Sequence, residues 1–309
     1  MSSPSTRNVH PCSLSVVDDS LLERTWKLVP SRSRLAIYKL LRFVGSKLWP
    51  PESLIGTGKQ RLPFNMFCKF GGRIDENEVL CTMFVAENTT IPVPRIIDAI
   101  DDDGQLFVVM TKVPGISAQL AFSELDEAGM KLFEHDLHDW IHQLRSLRPP
   151  CPVVGGLLGT QSVQPLFFET PIGPFDDVAA LHQFLMTLCP DGKGSPHYEE
   201  FRSRARAGTF HRAHKLCFTH GDLKPHNLLM HNGRLSGMVD FGNSGWFPEY
   251  WDYACTTFVA PLWWEELWAR MFPQYVEDKC YMYNHPCTTM SLSSSVDIPA
   301  GIQQGHEIV

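Results

Sequence analysis

The sequence predicts an α+β protein with two lobes, a small lobe of antiparallel strands at residues 31–112 and a mainly helical large lobe at residues 113–285. Short apolar runs separated by turn residues fill the first lobe and are typical of strands. Apolar residues at helical spacing over about 124–147 predict a long buried helix in the second lobe. Residues 110–115, Met-Thr-Lys-Val-Pro-Gly, would form the hinge between the lobes. A cleft at this hinge is the expected place for a ligand.

Length and composition exclude several classes of protein. With 309 residues, 43% hydrophobic and 20% charged, the chain is long enough for two cores and is not disordered throughout. A formal net charge of −7 does not suit a nucleic-acid partner, which requires clustered positive potential. The nine cysteines show no C-x-x-C pair, and no apolar run is long enough to span a bilayer. We therefore expect a cytoplasmic protein without a membrane span, and the oligomeric state stays open.

The chain begins with a polar segment and a basic helix. Residues 1–30 are rich in Ser and Pro and are predicted to be flexible. From residue 33 to residue 49 apolar residues recur at helical spacing, namely Ile37, Leu41, Val44 and Leu48. Basic residues occupy the remaining surface, namely Arg32, Arg34, Lys39, Arg42 and Lys47. Such a helix suits a membrane surface, and we favour the alternative that it docks on the small lobe.

The small lobe contains candidate residues for binding phosphate. Gly56 and Gly58 mark a turn whose flanking strands would form a hairpin over nucleotide phosphates, with an ordinary hairpin turn as the equal alternative. Lys69 lies inside an apolar strand, where an unpaired ammonium group is costly. Glu78, in the first turn of a helix predicted over 75–88, is its candidate partner, with helix capping as the alternative role. A Lys69–Glu78 pair would aim the ammonium group at phosphates.

Two further segments are candidates for ligand recognition. The hinge backbone at Thr111 and Val113 is where an adenine edge would hydrogen-bond. About fifty residues at 149–200, rich in Gly and Pro and carrying a helix near 177–188, form an irregular insert suited to substrate selection. Residues 286–309 are Ser-rich without a period, which predicts a disordered tail.

Two polar clusters in apolar surroundings form the functional signature of the chain. The first, His-Gly-Asp-Leu-Lys-Pro-His-Asn at residues 220–227, has the form His-x-Asp-x-x-x-x-Asn, and the second is Asp-Phe-Gly at 240–242. Phosphoryl transfer needs a carboxylate that accepts the proton of the attacking hydroxyl, and oxygen ligands for the Mg²⁺ that bridges nucleotide phosphates. Asp222 supplies the first, and Asn227 with Asp240 supplies the second. An Asx-turn loop with buried polar residues is the structural alternative.

These residues resemble the aminoglycoside phosphotransferase and choline-kinase-like family, a small-molecule branch of the protein-kinase-like fold, and its fungal members most. The resemblance runs from about Leu54 to Tyr253. Besides the two clusters it includes Asn-Thr-Thr-Ile-Pro-Val-Pro at 88–94 and Trp-Phe-Pro-Glu-Tyr-Trp-Asp at 246–252. It implies ATP and Mg²⁺ as cofactors and a small molecule with a hydroxyl group as the substrate.

The resemblance assigns roles to individual residues. The catalytic candidates are Asp222, His220 and Lys224. The nucleotide-binding candidates are Lys69, Glu78, Gly56, Gly58, Thr111 and Val113. The candidate metal ligands are Asn227 and Asp240. In this set Asp222 would be the catalytic base, Lys69 would hold phosphate with Glu78 as its partner, and His220 would support the catalytic loop together with Asp252.

Two other functions stay open as alternatives. Phe-Gly-Asn at 241–243 and Lys-Pro at 224–225 resemble protein kinases, so the chain is alternatively a protein kinase. Pro248 follows Asp240 too closely to leave room for a phosphorylatable activation segment, which favours a small acceptor. The second alternative is a nucleotide-binding pseudokinase or scaffold without turnover. The complete set of candidate residues argues against it.

Overall fold

The computed structural model describes residues 25–50, 58–71, 74, 76–150, 152–164, 171–187, 199, 203, 213–257 and 260–276. The predictions made for residues 1–24, for Gly56 and for the tail at 286–309 lie outside these residues. So do parts of the 149–200 insert, including residues 165–170 and 188–198.

The small lobe is built on a four-stranded antiparallel sheet with the strand order β1-β2-β4-β3. Its strands are β1 (Lys59–Leu62), β2 (Met66–Lys69), β3 (Ile96–Asp102) and β4 (Gln105–Thr111). Its helices are α1 (Ser31–Leu48), before the sheet, and α2 (Glu76–Asn88), between β2 and β3. Apolar residues in the strands are buried on both sides of the sheet, where they form two small clusters.

Helix α1 docks on the small lobe as predicted, by a face that shares Leu41 with the predicted apolar stripe but not its other three residues. Its buried residues are Tyr38 and Gly45, and Tyr38 packs in one cluster with Leu62 and Phe107. Three residues of the predicted apolar stripe, Ile37, Val44 and Leu48, are 41%, 37% and 58% exposed. The physical reason is close approach: a Cβ atom at Gly45 would lie 2.1 Å from the carbonyl oxygen of Arg61 in β1, so only glycine fits there. The docking face is therefore chosen by shape rather than by hydropathy.

The strand that follows the glycine turn begins at Lys59, directly after Gly58. The carbonyl oxygen of Gly58 accepts a hydrogen bond from the Phe70 N–H at 2.7 Å, which closes the open end of the β1–β2 pair. The other end of the pair turns through Phe64 and Asn65, which both have positive φ, 62° and 55°. A strand before the glycines would fall within residues 51–57, outside the described residues.

The large lobe combines helices with two small sheets, which have the strand orders β5-β7-β8 and β6-β9. Its strands are β5 (Ile116–Ser117), β6 (Leu216–Thr219), β7 (Leu228–His231), β8 (Arg234–Met238) and β9 (Gly245–Pro248). Its helices are α3 (Ala118–Ala121), α4 (Glu127–Ser146), α5 (Val178–Thr187), α6 (Trp251–Thr256) and α7 (Leu262–Met271). The α+β prediction with two lobes is confirmed. Of the helices in the described part of the chain, none is both long enough and apolar enough to cross a membrane.

An aromatic core supports the large lobe. Four tryptophans are fully buried in it, namely Trp246, Trp251, Trp264 and Trp268. The predicted buried helix is α4, whose N-cap Asp126 accepts a hydrogen bond from the Gly129 N–H at 2.7 Å. Helix α4 buries Phe133 and Leu137 in the same core. This core holds the β6–β9 pair, from which both polar clusters emerge.

Candidate active site

The antiparallel pair β6–β9 brings the two polar clusters together. Thr219 at the end of β6 pairs in register with Gly245 at the start of β9. The segment after Thr219 and the segment before Gly245 therefore leave the same edge of the sheet. The Ser244 hydroxyl donates a hydrogen bond to the carbonyl oxygen of His220 at 2.9 Å and ties these segments to each other.

Gly221 gives the loop at residues 220–227 its backbone conformation. Its φ is +78°, and a Cβ atom at this position would lie 2.2 Å from the carbonyl oxygen of Asn243. Its N–H donates a hydrogen bond at 2.8 Å to Oδ1 of Asp252, which is fully buried. Burial raises the pKa of Asp252, and the hydrogen bond from the Gly221 N–H opposes this rise. Both the conformation and the space at this position require glycine.

His220 connects the catalytic loop to the second cluster. It is buried, and its Nδ1 accepts a hydrogen bond from the Asp222 N–H at 3.3 Å. Its Nε2 lies 3.0 Å from the carbonyl oxygen of Val239, the residue before Asp240. With Nδ1 accepting from the Asp222 N–H, it is the Nε2–H tautomer that donates to the Val239 carbonyl. The His220 ring thereby connects the backbone at Asp222 to the backbone directly before Asp240.

Asp222 and Asn227 are joined directly. The amide nitrogen of Asn227 donates to the backbone carbonyl of Asp222 at 2.8 Å and to its carboxylate Oδ2 at 3.3 Å. The ammonium group of Lys224 lies 3.4 Å from the other carboxylate oxygen, Oδ1, as an ion pair. This Oδ1 is buried and makes no hydrogen bond within the described part of the chain. These contacts leave the amide oxygen of Asn227 unused, and the Asp222 side chain as a whole is 24% exposed.

Lys69 lies between two carboxylates. It forms a buried ion pair with Glu78, and its Nζ is 2.8 Å from Oδ1 of Asp240. Burial lowers the pKa of Lys69, but the two carboxylates outweigh this effect and raise the pKa above its ordinary value. Burial raises the pKa of Glu78, which the Lys69 ammonium only partly offsets. The Lys69 side chain is therefore a permanent cation beside Asp240.

Asp240 also contacts a residue that the sequence analysis did not select, Lys59. The Lys59 Nζ is 2.8 Å from Oδ2 of Asp240. The backbone of Asp240 is left-handed, with φ of 71° and ψ of 62°. Burial by itself would raise the pKa of Asp240, but Lys69 and Lys59 hold it well below the usual range. The sequence signal that points to Lys59 is its place directly after Gly58; its register opposite Lys69 is seen only in the structure.

The two predicted adenine-contact positions at the hinge, Thr111 and Val113, differ in whether their backbone N–H groups are already hydrogen-bonded. The Thr111 N–H donates to the carbonyl oxygen of Arg95 at 2.9 Å, and the Lys112 N–H donates to that of Asn65 at 2.9 Å. The Val113 N–H makes no hydrogen bond to any residue that the structure describes. Val113 therefore offers a free donor at the hinge, whereas the Thr111 N–H is already used.

Asn77 is a second residue that the sequence analysis did not select. Its amide nitrogen donates to the carbonyl oxygen of Ser244 at 2.9 Å, and its amide oxygen accepts from the Leu157 N–H at 3.0 Å. Both hydrogen bonds are buried. They connect α2, which carries Glu78, to the segment between Asp240 and β9. Nothing in the local sequence distinguishes this asparagine from an ordinary polar helix residue.

The chain is similar to known proteins in its sequence and in its fold. A family model described as a phosphotransferase enzyme family matches residues 79–286. No curated protein matches the chain. Among solved structures, the chain is similar to aminoglycoside phosphotransferase APH(2'')-Ib with bound ADP, at 16% identity over 83% of this chain and 85% of that chain, with a TM-score of 0.50.

A second solved structure shows the same architecture. The chain is similar to a thermostable mutant of aminoglycoside phosphotransferase APH(4)-Ia in a ternary complex with ADP and hygromycin B. The identity is 12% over 77% of this chain and 84% of that chain, with a TM-score of 0.53. Likeness at these identities shows the fold, and it confirms the predicted two-lobed, protein-kinase-like architecture.

Proposed function

The chain belongs to the phosphotransferase enzyme family, and from this premise we propose that it is an ATP- and Mg²⁺-dependent kinase of a small molecule, with Asp222 as the catalytic base. The γ-phosphoryl group of ATP would be transferred to a hydroxyl group of the acceptor. The observation that carries the proposal is that the β6–β9 pair brings two segments together at one edge of its sheet. The segment after β6 carries Asp222 and Asn227, and the segment before β9 carries Asp240, which contacts Lys69.

The nucleotide would lie between the hinge and Lys69. The free N–H of Val113 is suited to the adenine edge, and the buried Lys69 ammonium, kept charged by Glu78, is suited to the phosphates. Gly58, with φ of +150°, brings backbone without a side chain to the start of β1. These residues bind and orient the nucleotide; the chemistry takes place at the other side of the cleft.

The residues present fit a magnesium ion. Mg²⁺ binds hard oxygen ligands and commonly takes only one or two from the protein, with phosphates and water completing its shell. Asp240 provides a carboxylate whose lowered pKa keeps it ionised, and Asn227 provides an amide oxygen that its bonds to Asp222 do not use. When bound, Mg²⁺ would neutralise the negative charge of the phosphates.

Asp222 would orient the acceptor hydroxyl and take its proton. Its carboxylate is held through Oδ2 by Asn227, so Oδ1 keeps a fixed position. The Asp222 side chain is 24% exposed, so an acceptor hydroxyl could reach its carboxylate. His220 and Gly221 fix the loop, and Lys224 supplies a positive charge beside the base.

The connection after Asp240 supports a small acceptor. Between Asp240 and β9 lie only the turn Phe241–Asn243 and Ser244, and β9 then pairs with β6 along its whole length. This segment is part of the core and provides no activation segment to dock a protein substrate. The same catalytic residues would serve many small alcohols, so the proposal names none.

We place the reaction in the cytoplasm. Four cysteines in the described part of the chain, Cys68, Cys81, Cys217 and Cys255, are buried and form no disulfide. A reducing compartment that also supplies ATP fits this state.

The test combines nucleotide binding with an acceptor screen. The full chain is titrated with Mg·ATP while thermal unfolding is followed, and ATP consumption is then measured against a panel of alcohols, amino-alcohols and sugars. Turnover with at least one acceptor is expected. Asp222→Asn should lower that turnover by about 10²- to 10⁴-fold and leave nucleotide affinity unchanged.

The matched control is Asp103→Asn in the β3–β4 turn. Asp103 is exposed and has φ of 54°, which asparagine tolerates. Full turnover in Asp222→Asn would contradict the role of the base. Nucleotide binding without turnover on any acceptor would favour a nucleotide-binding protein without catalysis.

A further inference from the structure

Two lysines of the small lobe converge on one carboxylate. Lys59 and Lys69 lie opposite each other in the register of β1 and β2, so their side chains project from the same face of the sheet. The two ammonium groups contact different oxygens of Asp240, Lys69 at Oδ1 and Lys59 at Oδ2, each at 2.8 Å. Like charges at opposed positions repel each other. Asp240 supplies the negative charge that offsets this repulsion.

The two lysines differ in how firmly they are held. Lys69 is buried and shares its charge between Glu78 and Asp240. The side chain of Lys59 is 52% exposed, and Asp240 is its only ion-pair partner among the described residues. A lysine with one partner on a long flexible side chain changes partner at low cost. Lys59 is therefore the exchangeable cation of the pair.

A bound nucleotide would change the charge balance at Asp240. A carboxylate that shares its charge with a divalent cation attracts an ammonium group less strongly than before. The phosphates of the same nucleotide carry several negative charges and accept short, charge-assisted hydrogen bonds. Lys59 begins β1 directly after Gly58, and its ammonium group already contacts the carboxylate that is proposed to hold Mg²⁺.

On the basis of the proposed function, we infer that Lys59 is a second phosphate-binding residue. In the free enzyme its ammonium group holds Asp240. When the magnesium nucleotide enters, the ammonium group leaves Oδ2 and pairs with the β- and γ-phosphates, while Lys69 keeps its position between Glu78 and Asp240. The start of β1 thus contributes a second side-chain cation to the phosphates beside Lys69.

The test is equilibrium binding of ATP, ADP and AMP to the full chain with Mg²⁺ present, measured by titration calorimetry for the wild type and for Lys59→Met. The variant should bind ATP and ADP about 5- to 30-fold more weakly, because a charge-assisted contact to phosphate is lost. AMP, which lacks both outer phosphates, should bind with unchanged affinity. Lys59→Arg should recover most of the ATP affinity.

The matched control is Lys39→Met. Lys39 is similarly exposed, at 45%, and pairs at 2.7 Å with Asp102, away from Asp240. This variant should bind all three nucleotides like the wild type. Thermal unfolding of both variants checks the fold, and Lys59→Gln repeats the measurement with a polar side chain.

Two results would overturn the inference alone: unchanged ATP affinity in both Lys59→Met and Lys59→Gln, or equal weakening of ATP and AMP. A wild-type chain that binds no nucleotide would overturn the proposed function, and the inference with it. The binding measurements need no acceptor, so they distinguish these two failures.

Discussion

The side-chain amide of Asn77 donates a hydrogen bond to the carbonyl oxygen of Ser244 at 2.9 Å. The first residue lies next to Glu78 on a helix of the small lobe, and the second lies directly before β9 in the large lobe. The buried Asn77 side chain therefore joins the element that carries Glu78 to the segment that follows Asp240, and the Cys81 thiol of the same helix also contacts the Ser244 carbonyl, at 3.6 Å.

Asn77→Ala should destabilise the protein and weaken nucleotide binding. The change leaves the Leu157 N–H buried without a partner, and it leaves the Ser244 carbonyl only the weaker contact from the Cys81 thiol at 3.6 Å. The expected loss of unfolding free energy is about 1–3 kcal/mol. Denaturant unfolding measures this loss, and calorimetric titration with Mg·ATP measures the affinity. Asn88→Ala, at the exposed end of the same helix, is the control and should change the free energy by less than about 0.5 kcal/mol. Equal changes in unfolding free energy for the two variants would show that the Asn77 hydrogen bonds do not stabilise the folded state.

Gly221→Ala should damage both stability and catalysis. Gly233 has a similar φ of +74° but open space around its missing Cβ, whereas a Cβ at Gly221 meets the Asn243 carbonyl at 2.2 Å. Gly233→Ala should therefore cost only the left-handed strain of about 1–2 kcal/mol. Gly221→Ala adds steric overlap of about 1–3 kcal/mol and displaces Asp222, so turnover should fall more than about tenfold. Urea unfolding and acceptor-dependent ATP consumption measure the two effects; a Gly221→Ala protein as active as Gly233→Ala would contradict the account.

Asp240→Asn should remove the magnesium dependence of nucleotide binding. At an ATP concentration 100 times Kd, a ligand that binds only the folded state adds about 2.7 kcal/mol to the unfolding free energy. In the wild type this gain should require Mg²⁺, and in the variant added Mg²⁺ should contribute little, because the carboxylate ligand is lost. Thermal unfolding with ATP, with and without Mg²⁺, measures the difference. Asp103→Asn serves as the control, and the same Mg²⁺ dependence in Asp240→Asn and wild type would rule out Asp240 as a ligand.

Acid should destabilise the protein through His182. This buried residue of α5 has its Nε2 2.8 Å from the Tyr250 hydroxyl. Burial, and then the neighbouring His214, lower the pKa of His182 to about 4, and Asp177 opposes this shift. In the unfolded chain the imidazole of His182 has a pKa of about 6.5, so between about pH 6.5 and 4 it is protonated in the unfolded chain and neutral in the folded chain. The contribution of His182 is therefore fully present above about pH 6.5 and is lost as the pH falls to about 4.

The check is unfolding free energy against pH for the wild type and His182→Gln. Glutamine keeps a polar contact with Tyr250 and does not titrate. The variant should lose less free energy between about pH 6.5 and 4, by at most about 3 kcal/mol. His231→Gln, at the exposed end of β7, should follow the wild type. Parallel curves for wild type and His182→Gln would exclude His182 as the source of the slope.

Several features of the fold could be predicted because they depend on neighbours in sequence. The strand and helix periods of β4 and α4 are local, and so is the spacing that places Asn227 five residues after Asp222. The docking face of α1 could not be predicted in this way, because it does not depend on neighbours in sequence. It depends on the close approach of Gly45 to the Arg61 carbonyl, which hydropathy does not report.

The motifs that contain Asp222, Asn227 and Asp240, together with a lysine inside an apolar strand, were enough to predict the fold class and the type of chemistry. How these groups come together depends on the fold. The β1–β2 register set Lys59 beside Lys69, and the β6–β9 pairing set the two motifs side by side. These relationships join residues that are distant along the chain, and packing and register, rather than local pattern, determine which distant residues touch.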